Sequence, residues 1–324
     1  MKTLKPETLA FKKRTVFHDD FKQAYDAILK LMAFKDVDPK VMLIIGENGC
    51  GKSRLAKMIQ NDFPIVDSDG ETIIPIALTD APPETGQSAL VSELLHSLGD
   101  LDAFVGRPQK LRDRLRRILR ELNVALIIID EVQDIFPLVG LNNSSKATRF
   151  IKWLTNKGGA PVLLLGTPDA LSLLDINNAL NQRAESTRYL NRFRCTDYDE
   201  QIRFADFLSD LFGVFPRKIK GFKLYKKNED GDEVLKDDIE PLLQLCLACE
   251  GIPRILNSIL SKVLETTQPK DVIDKAILGE AWKTAINHKN GWQNKVHPFD
   301  SKIKDIKAEL IAKKLFTMPV KEKK

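Results

Sequence analysis

The eight residues Gly46-Glu-Asn-Gly-Cys-Gly51-Lys52-Ser53 constrain this chain more than any other feature. They match G-x-x-x-x-G-K-[ST], follow directly on an apolar run at 41–45, and open a segment of helical period at 52–60. The order is therefore strand, loop, helix. The glycines let the backbone turn successive N–H groups inward, and the helix N-terminus adds its dipole, so the loop forms a cradle for phosphates. In such a loop Lys52 neutralises the outer phosphates and the Ser53 hydroxyl ligates magnesium. Gly46, Glu47, Asn48, Gly49, Cys50, Gly51, Lys52, Ser53 and Arg54 are the candidate contacts to ATP.

Comparable apolar runs recur at 73–78, 125–129 and 162–165, with helical-period segments at 52–60, 87–98, 110–122 and 146–155 between them. That alternation predicts an α/β fold, a parallel sheet covered on both faces. Beyond about residue 205 the apolar residues keep helical spacing through 204–212, 239–249 and 252–264, which predicts a smaller helical domain. The expected division is an N-terminal arm and helix at 1–40, an α/β core at 41–205, a helical domain at 206–290 and a basic tail at 291–324. A charged insertion at 221–238 interrupts the helical domain, and its Asp230-Gly231 fits either a hairpin turn or a mobile loop.

Leu126-Ile-Ile-Ile-Asp130-Glu131 delivers two carboxylates to the edge of the sheet where ligands of such folds bind. Asp130 is the expected magnesium partner, through its water shell, and Glu131 the group that polarises an attacking water. The third run ends in Gly166-Thr167-Pro168. Thr167 either senses the outer phosphate or belongs to a turn that caps the next helix at Asp169. Next comes a segment holding Arg183, Arg188, Arg192 and Arg194. An arginine from one subunit can stabilise charge on a neighbour's nucleotide, and Arg183 is the first choice because it lies nearest the end of the helix after Thr167. Gly251-Ile-Pro-Arg254 opens a helix of the second domain, from which Arg254 is expected to reach the nucleotide.

Charge is informative by location. Lys and Arg number 50 against 45 Asp and Glu, a net charge of +5. Basic residues concentrate at 301–324 and at 107–120. In the second stretch Leu111, Leu115, Ile118, Leu119 and Leu122 make one apolar stripe, from which Arg112, Arg116, Arg117 and Arg120 fall away. With Arg107 and Lys110 at the start of the helix, the arrangement suits a phosphate backbone, and Arg107, Lys110, Arg112 and Arg116 are candidate contacts to duplex DNA. Exposed arginines on an amphipathic helix are the plainer reading. With 43% hydrophobic and 29% charged residues, the composition is that of a soluble globular protein. No run approaches the roughly 18 apolar residues of a membrane span, and the N-terminus has no apolar signal core. Four cysteines at irregular spacing point to a reducing cytoplasm, and Cys246 and Cys249, in an apolar helical run, to core packing rather than zinc.

Taken together, GENGCGKS, LIIIDE, LLLGT, the arginine-rich segment and GIPR resemble, in that order, the AAA+ ATPases. More particularly, LIIIDEVQDIF, LLLGTPDAL and NRFRC are similar to segments of the TniB/TnsC-type transposition regulators, over roughly residues 15–265. The resemblance implies a P-loop AAA+ parallel αβα sandwich with a C-terminal helical lid, and ATP and Mg2+ as ligands. It implies homo-oligomeric rings or helical filaments on duplex DNA, a TniQ-type targeting protein and TnsA/TnsB-type transposase subunits as partners, and in some members CRISPR-associated elements. IstB-like and DnaA-like DNA-loading ATPases share the same nucleotide motifs, and a nucleotide-sensing signalling ATPase without DNA is the other reading. A machine acting on proteins would need aromatic pore loops, and the loop at 79–87 has none.

Overall fold

The computed structural model describes residues 4–68, 71–82, 87–135, 149–172, 181–286 and 296–318. In chain order the elements are α1 (Pro6–Lys13), α2 (Asp19–Met32), β1 (Val41–Ile45), α3 (Lys52–Asp62), β2 (Val66–Ser68), β3 (Glu71–Ile73), β4 (Ile76–Asp80), α4 (Gln87–Ser97), α5 (Pro108–Glu121), β5 (Leu126–Asp130), β6 (Val162–Gly166) and β7 (Arg188–Tyr189). They continue with α6 (Tyr198–Val214), β8 (Lys218–Ile219), β9 (Tyr225–Lys227), β10 (Glu233–Leu235), α7 (Glu240–Cys249), α8 (Pro253–Thr266), β11 (Val272–Ile273), α9 (Lys275–Ala285) and α10 (Ile303–Ala312). The chain divides into two compact units, Asp20–Asn191 and Met1–Asp19 with Arg192–Lys324.

In the first unit β4-β5-β6-β1-β7 form one parallel sheet. Side chains alternate between its faces, as a period of two requires. Val41, Leu43, Ile45, Ile127, Ile129, Val162 and Leu164 share a core with residues of α4 and α5, while Met42, Ile44, Ile128, Leu163 and Leu165 pack with α2 and α3. Both faces are covered, which is why these strands read as unbroken apolar runs. The expected strand at 73–78 needs correction. Pro75, which has no N–H to give a ladder, separates β3, one arm of a hairpin with β2, from β4 in the sheet. Of the expected helix at 146–155, residues 146–148 lie outside the described ones, and the helix passes into a π turn at Leu154–Gly158.

The second unit is helical, with a core that includes Phe204, Leu208, Leu243, Leu256, Leu260 and Leu278. The arm holds a helix the spacing did not reveal: Pro6 begins α1, and Phe11 joins this core. Its anchor is Glu7, whose Oε1 accepts from the nearly inaccessible Arg217 Nη2 at 2.6 Å. Lys5 Nζ adds bonds to the carbonyls of Leu264 at 2.9 Å and Thr267 at 2.7 Å. The insertion at 221–238 is a hairpin, β9 against β10, turned by bonds between Asn228 and Asp232. Within 291–324, α10 buries Ile306 and Leu310. Cys195, Cys246 and Cys249 are buried, and among the described residues no cluster of His, Cys, Asp or Glu is arranged to hold a metal. The contact with Cys195 and burial push the Cys246 thiol up, and burial does the same to Cys249. Among the described residues no helix is long and apolar enough to cross a membrane.

Candidate nucleotide site

Strand order decides where the polar residues meet. Because β6 lies between β5 and β1, Thr167 emerges between the loop after β1 and the carboxylates after β5. The register sets Ile129 opposite Leu164 and Leu164 opposite Leu43, so Asp130, Gly166 and Gly46 all lie at the same end of the sheet. A bond from Gly46 N–H to the Gly166 carbonyl, at 3.0 Å, ties the loop's first residue to β6.

The loop's glycines are needed where they stand. A Cβ on Gly46 would sit 2.2 Å from the Leu190 carbonyl oxygen, closer than any side chain tolerates. Gly51 has φ 111°, in the left-handed region that glycine enters at little cost. Lys52, only 4% exposed, donates to the carbonyls of Gly46 at 2.7 Å and Glu47 at 3.2 Å, which holds its ammonium inside the loop. Cys50 is buried beneath the loop, Asn48 is exposed on it, and Ser53 and Arg54 are half-buried in the first turn of α3.

Asp130 is 3% exposed, accepts from the Glu131 N–H at 2.8 Å and is hydrogen-bonded to the Ser53 side chain. Burial raises its carboxyl above the ordinary aspartate value, the bonds from Ser53 and Glu131 oppose that, and the charges of Glu131 and Asp80 add to it. Glu131 adopts φ 52°, a left-handed conformation unusual for a residue with a Cβ, and starts the 3-10 turn Val132–Ile135. Thr167 makes no side-chain cap for the turn it precedes, and its buried hydroxyl has no hydrogen-bond partner among the described residues. Its N–H donates instead to Gln133 Oε1 at 3.1 Å, and Gln133 Nε2 donates to Glu131 Oε2 at 2.6 Å. Gln133 lies inside the LIIIDEVQDIF segment, but its role depends on a neighbouring strand that no local pattern reveals.

The structure thus brings together the loop 46–54, Asp130, Glu131 and Thr167. Arg183 lies elsewhere, at the N-terminal end of β1, where its carbonyl accepts from Val41 at 3.0 Å and its guanidinium pairs with Asp38 at 3.6 Å. Arg188 is exposed on β7, opposite Ile44 near the C-terminal end of β1. Arg254 is exposed in the first turn of α8, in the other unit. On α5, Leu111, Leu115 and Leu119 are buried and Arg107, Lys110, Arg117 and Arg120 exposed. Arg112 and Arg116 are half-buried beside the apolar stripe rather than clear of it, and the Arg116 Nε is buried without a hydrogen-bond partner among the described residues. Arg114 pairs with Asp100 at 3.4 Å and Arg117 with Glu121 at 3.7 Å.

A family model described as bacterial TniB protein matches residues 9–194. No curated protein sequence matches the chain. Among solved structures, the chain is similar to the Aeropyrum pernix ORC1 protein in complex with DNA, at TM-score 0.55 and 14% identity over 86% of this chain and 68% of that one. It is similar to the A. pernix ORC2 protein in its ADP form, at TM-score 0.52 and 14% identity, with 87% and 70% covered. A third likeness is to Cdc6p from Pyrobaculum aerophilum, at TM-score 0.54 and 11% identity, with 83% and 68% covered. At these identities the likeness shows the fold.

Proposed function

The chain belongs to the TniB family and is an AAA+ ATPase, and from that membership we propose that it regulates transposition by assembling with ATP on duplex DNA. One observation carries the nucleotide part of this reading. Buried Lys52, held on loop carbonyls, the bonded pair Ser53 and Asp130, and Glu131 stand together at one end of one sheet.

Ser53 and Asp130 supply two hard oxygens, too few for a free-standing metal site but matched to a magnesium ion that arrives on phosphates and keeps several waters. Bound there, the ion would neutralise phosphate charge. The chain's own residues do the rest. Loop N–H groups and Lys52 hold the phosphates, the Ser53 hydroxyl would ligate the magnesium that Asp130 would hold through its water shell, and Glu131 takes the proton of the attacking water. Thr167, through its buried hydroxyl, addresses the outer phosphate.

The oligomer follows from the need for charge stabilisation by a neighbouring subunit. Of the arginine segment, Arg188 suits this better than Arg183, which is engaged with Asp38 at the far end of β1. The nucleotide-sensing role of Arg254 is assigned on the GIPR segment's resemblance to the AAA+ pattern. DNA contact is assigned to the exposed Arg107 and Lys110, with Arg112 and Arg116 beside them, and the A. pernix ORC1 protein, solved in complex with DNA, supports the use of this fold on DNA. A TniQ-type targeting protein and TnsA/TnsB-type transposase are the partners the family suggests.

Electron microscopy with and without ATP and duplex DNA tests the reading. Rings or filaments that need both ligands support it, and particles that ignore both contradict it. Arg188→Ala should abolish ATP-driven assembly while the affinity for ATP is kept, whereas Arg183→Ala should assemble normally.

A further inference from the structure

Gln133 joins two parts of the site that the strands hold apart. Its amide nitrogen donates to Glu131 Oε2 at 2.6 Å, and its amide oxygen accepts from the Thr167 N–H at 3.1 Å. The two partners fix the orientation of the amide, because an ionised carboxylate only accepts and a backbone N–H only donates. Glu131 follows β5 and Thr167 follows β6, neighbouring strands, so this one side chain spans the gap between them.

Two backbone features make the span feasible. The left-handed Glu131 turns the chain sharply into the 3-10 turn that carries Gln133. At Gly166 a Cβ would lie 2.8 Å from Val132 Cγ1, 2.8 Å from Ala170 Cβ and 3.1 Å from Gln133 Oε1, so any larger residue would press on that turn from the β6 side. The site therefore combines a costly backbone conformation and a compulsory glycine around one bridging amide.

We infer that Gln133 is a positioning residue for ATP hydrolysis, coupling the end of the Thr167 strand to the Glu131 carboxylate. The inference rests on the reading of Glu131 as the group that polarises water. A glutamate has three rotatable side-chain bonds, and a short charge-assisted hydrogen bond holds one of its oxygens while the other remains to face the water. Any shift of Thr167 on meeting the terminal phosphate passes through the same amide to Glu131. Removing the bridge leaves the phosphate cradle intact and lets the carboxylate wander, and a misplacement on the order of 1 Å can cost about a hundredfold in rate.

The test is steady-state hydrolysis together with calorimetric ATP binding for Gln133→Ala, Glu131→Gln and the double variant. Gln133→Ala should lower kcat by about 10- to 100-fold with ATP affinity within about twofold of wild type. In the Glu131→Gln background the same change should cost nothing further, since a residue acting through Glu131 has nothing left to position. Gln133→Glu keeps an acceptor for Thr167 but removes the donor to Glu131, so it should be as slow, and it decides the matter if the alanine variant does not fold. A wild-type kcat in either folded Gln133 variant overturns the inference, as does an undiminished loss in the Glu131→Gln background. If Glu131→Gln itself hydrolyses ATP at the wild-type rate, the underlying reading of Glu131 fails. A slow Glu131→Gln beside a fast Gln133→Ala removes the coupling alone.

Discussion

In the sheet unit the buried charged groups Lys52, at the start of α3, and Asp130, at the end of β5, rest on carbonyls, an N–H group and a hydroxyl, whereas in the helical unit the buried Arg217 is closed onto Glu7 at 2.6 Å. The chemistry of burial is alike and the outcome opposite. An ion pair between positions 210 residues apart fastens the first helix to the helical unit. A carboxylate buried on neutral donors costs stability in the free protein and recovers it when a cation arrives with its ligand. The carboxyl groups show the same contrast. The bond from Arg217 holds Glu7 below the ordinary glutamate value, while burial lifts Asp130 above the ordinary aspartate value.

The largest effect should come from Lys52→Ala, which removes the cation at the phosphates and should abolish ATP binding by calorimetry. Wild type with ATP at a hundred times its Kd should gain about 2.7 kcal/mol of stability, and the variant none. Retained affinity would mean that the buried lysine serves the loop rather than a ligand.

Glu7→Ala breaks the comparison from the other side. It leaves a buried guanidinium without its carboxylate and should cost about 2 kcal/mol in urea unfolding, below the full value for a buried pair because Glu7 itself is partly exposed. A cost under about 0.5 kcal/mol would reduce the pair to a surface contact. Acid sharpens the contrast. Glu7, with its folded value lowered, contributes stability above its unfolded value and loses it as pH falls through the folded one, so the cost of Glu7→Ala should shrink in acid. Asp130, with its folded value raised, burdens the fold at neutral pH and is relieved as pH falls through that value. Asp130→Asn should therefore stabilise the ligand-free protein at neutral pH, and that gain should shrink on acidification. Urea unfolding of both variants at neutral pH and in mild acid reads the two trends, and a cost or gain that ignores pH would remove the contrast. The smallest effect concerns DNA: Arg107→Ala/Lys110→Ala should lower the salt slope of duplex binding by about 0.9 for each phosphate that is no longer neutralised. An unchanged slope would move the DNA surface away from α5.

The sheet unit was legible because strands buried on both faces write continuous apolar runs, and ligand-binding groups collect at the ends of those runs. The strand expected at 73–78 broke at Pro75, which separates two pairings inside a single apolar stretch, and β2 and β7, three and two residues long, were too short to show a period. The helical unit was harder to read. Its strands β8 and β11 are two residues long, too short for any period, and α1 shows as a helix only once Phe11 and Glu7 meet partners far along the chain. In the tail, abundant lysine masks the pair Ile306 and Leu310 that docks α10. Within the site the motif residues were legible from spacing. The engagement of Arg183 with Asp38 and the bridge made by Gln133 were not, because both join segments that only the fold brings together.

The most direct measurement is ATP hydrolysis by Glu131→Gln beside its ATP affinity. The substitution keeps the size of the side chain and leaves Lys52, Ser53 and Asp130 to hold nucleotide and magnesium, so affinity should stay near wild type. Without the group that takes the water's proton, turnover should slow by about 100-fold or more. Equal rates for the two proteins would contradict the assignment of this strand edge as a hydrolytic centre built on Glu131.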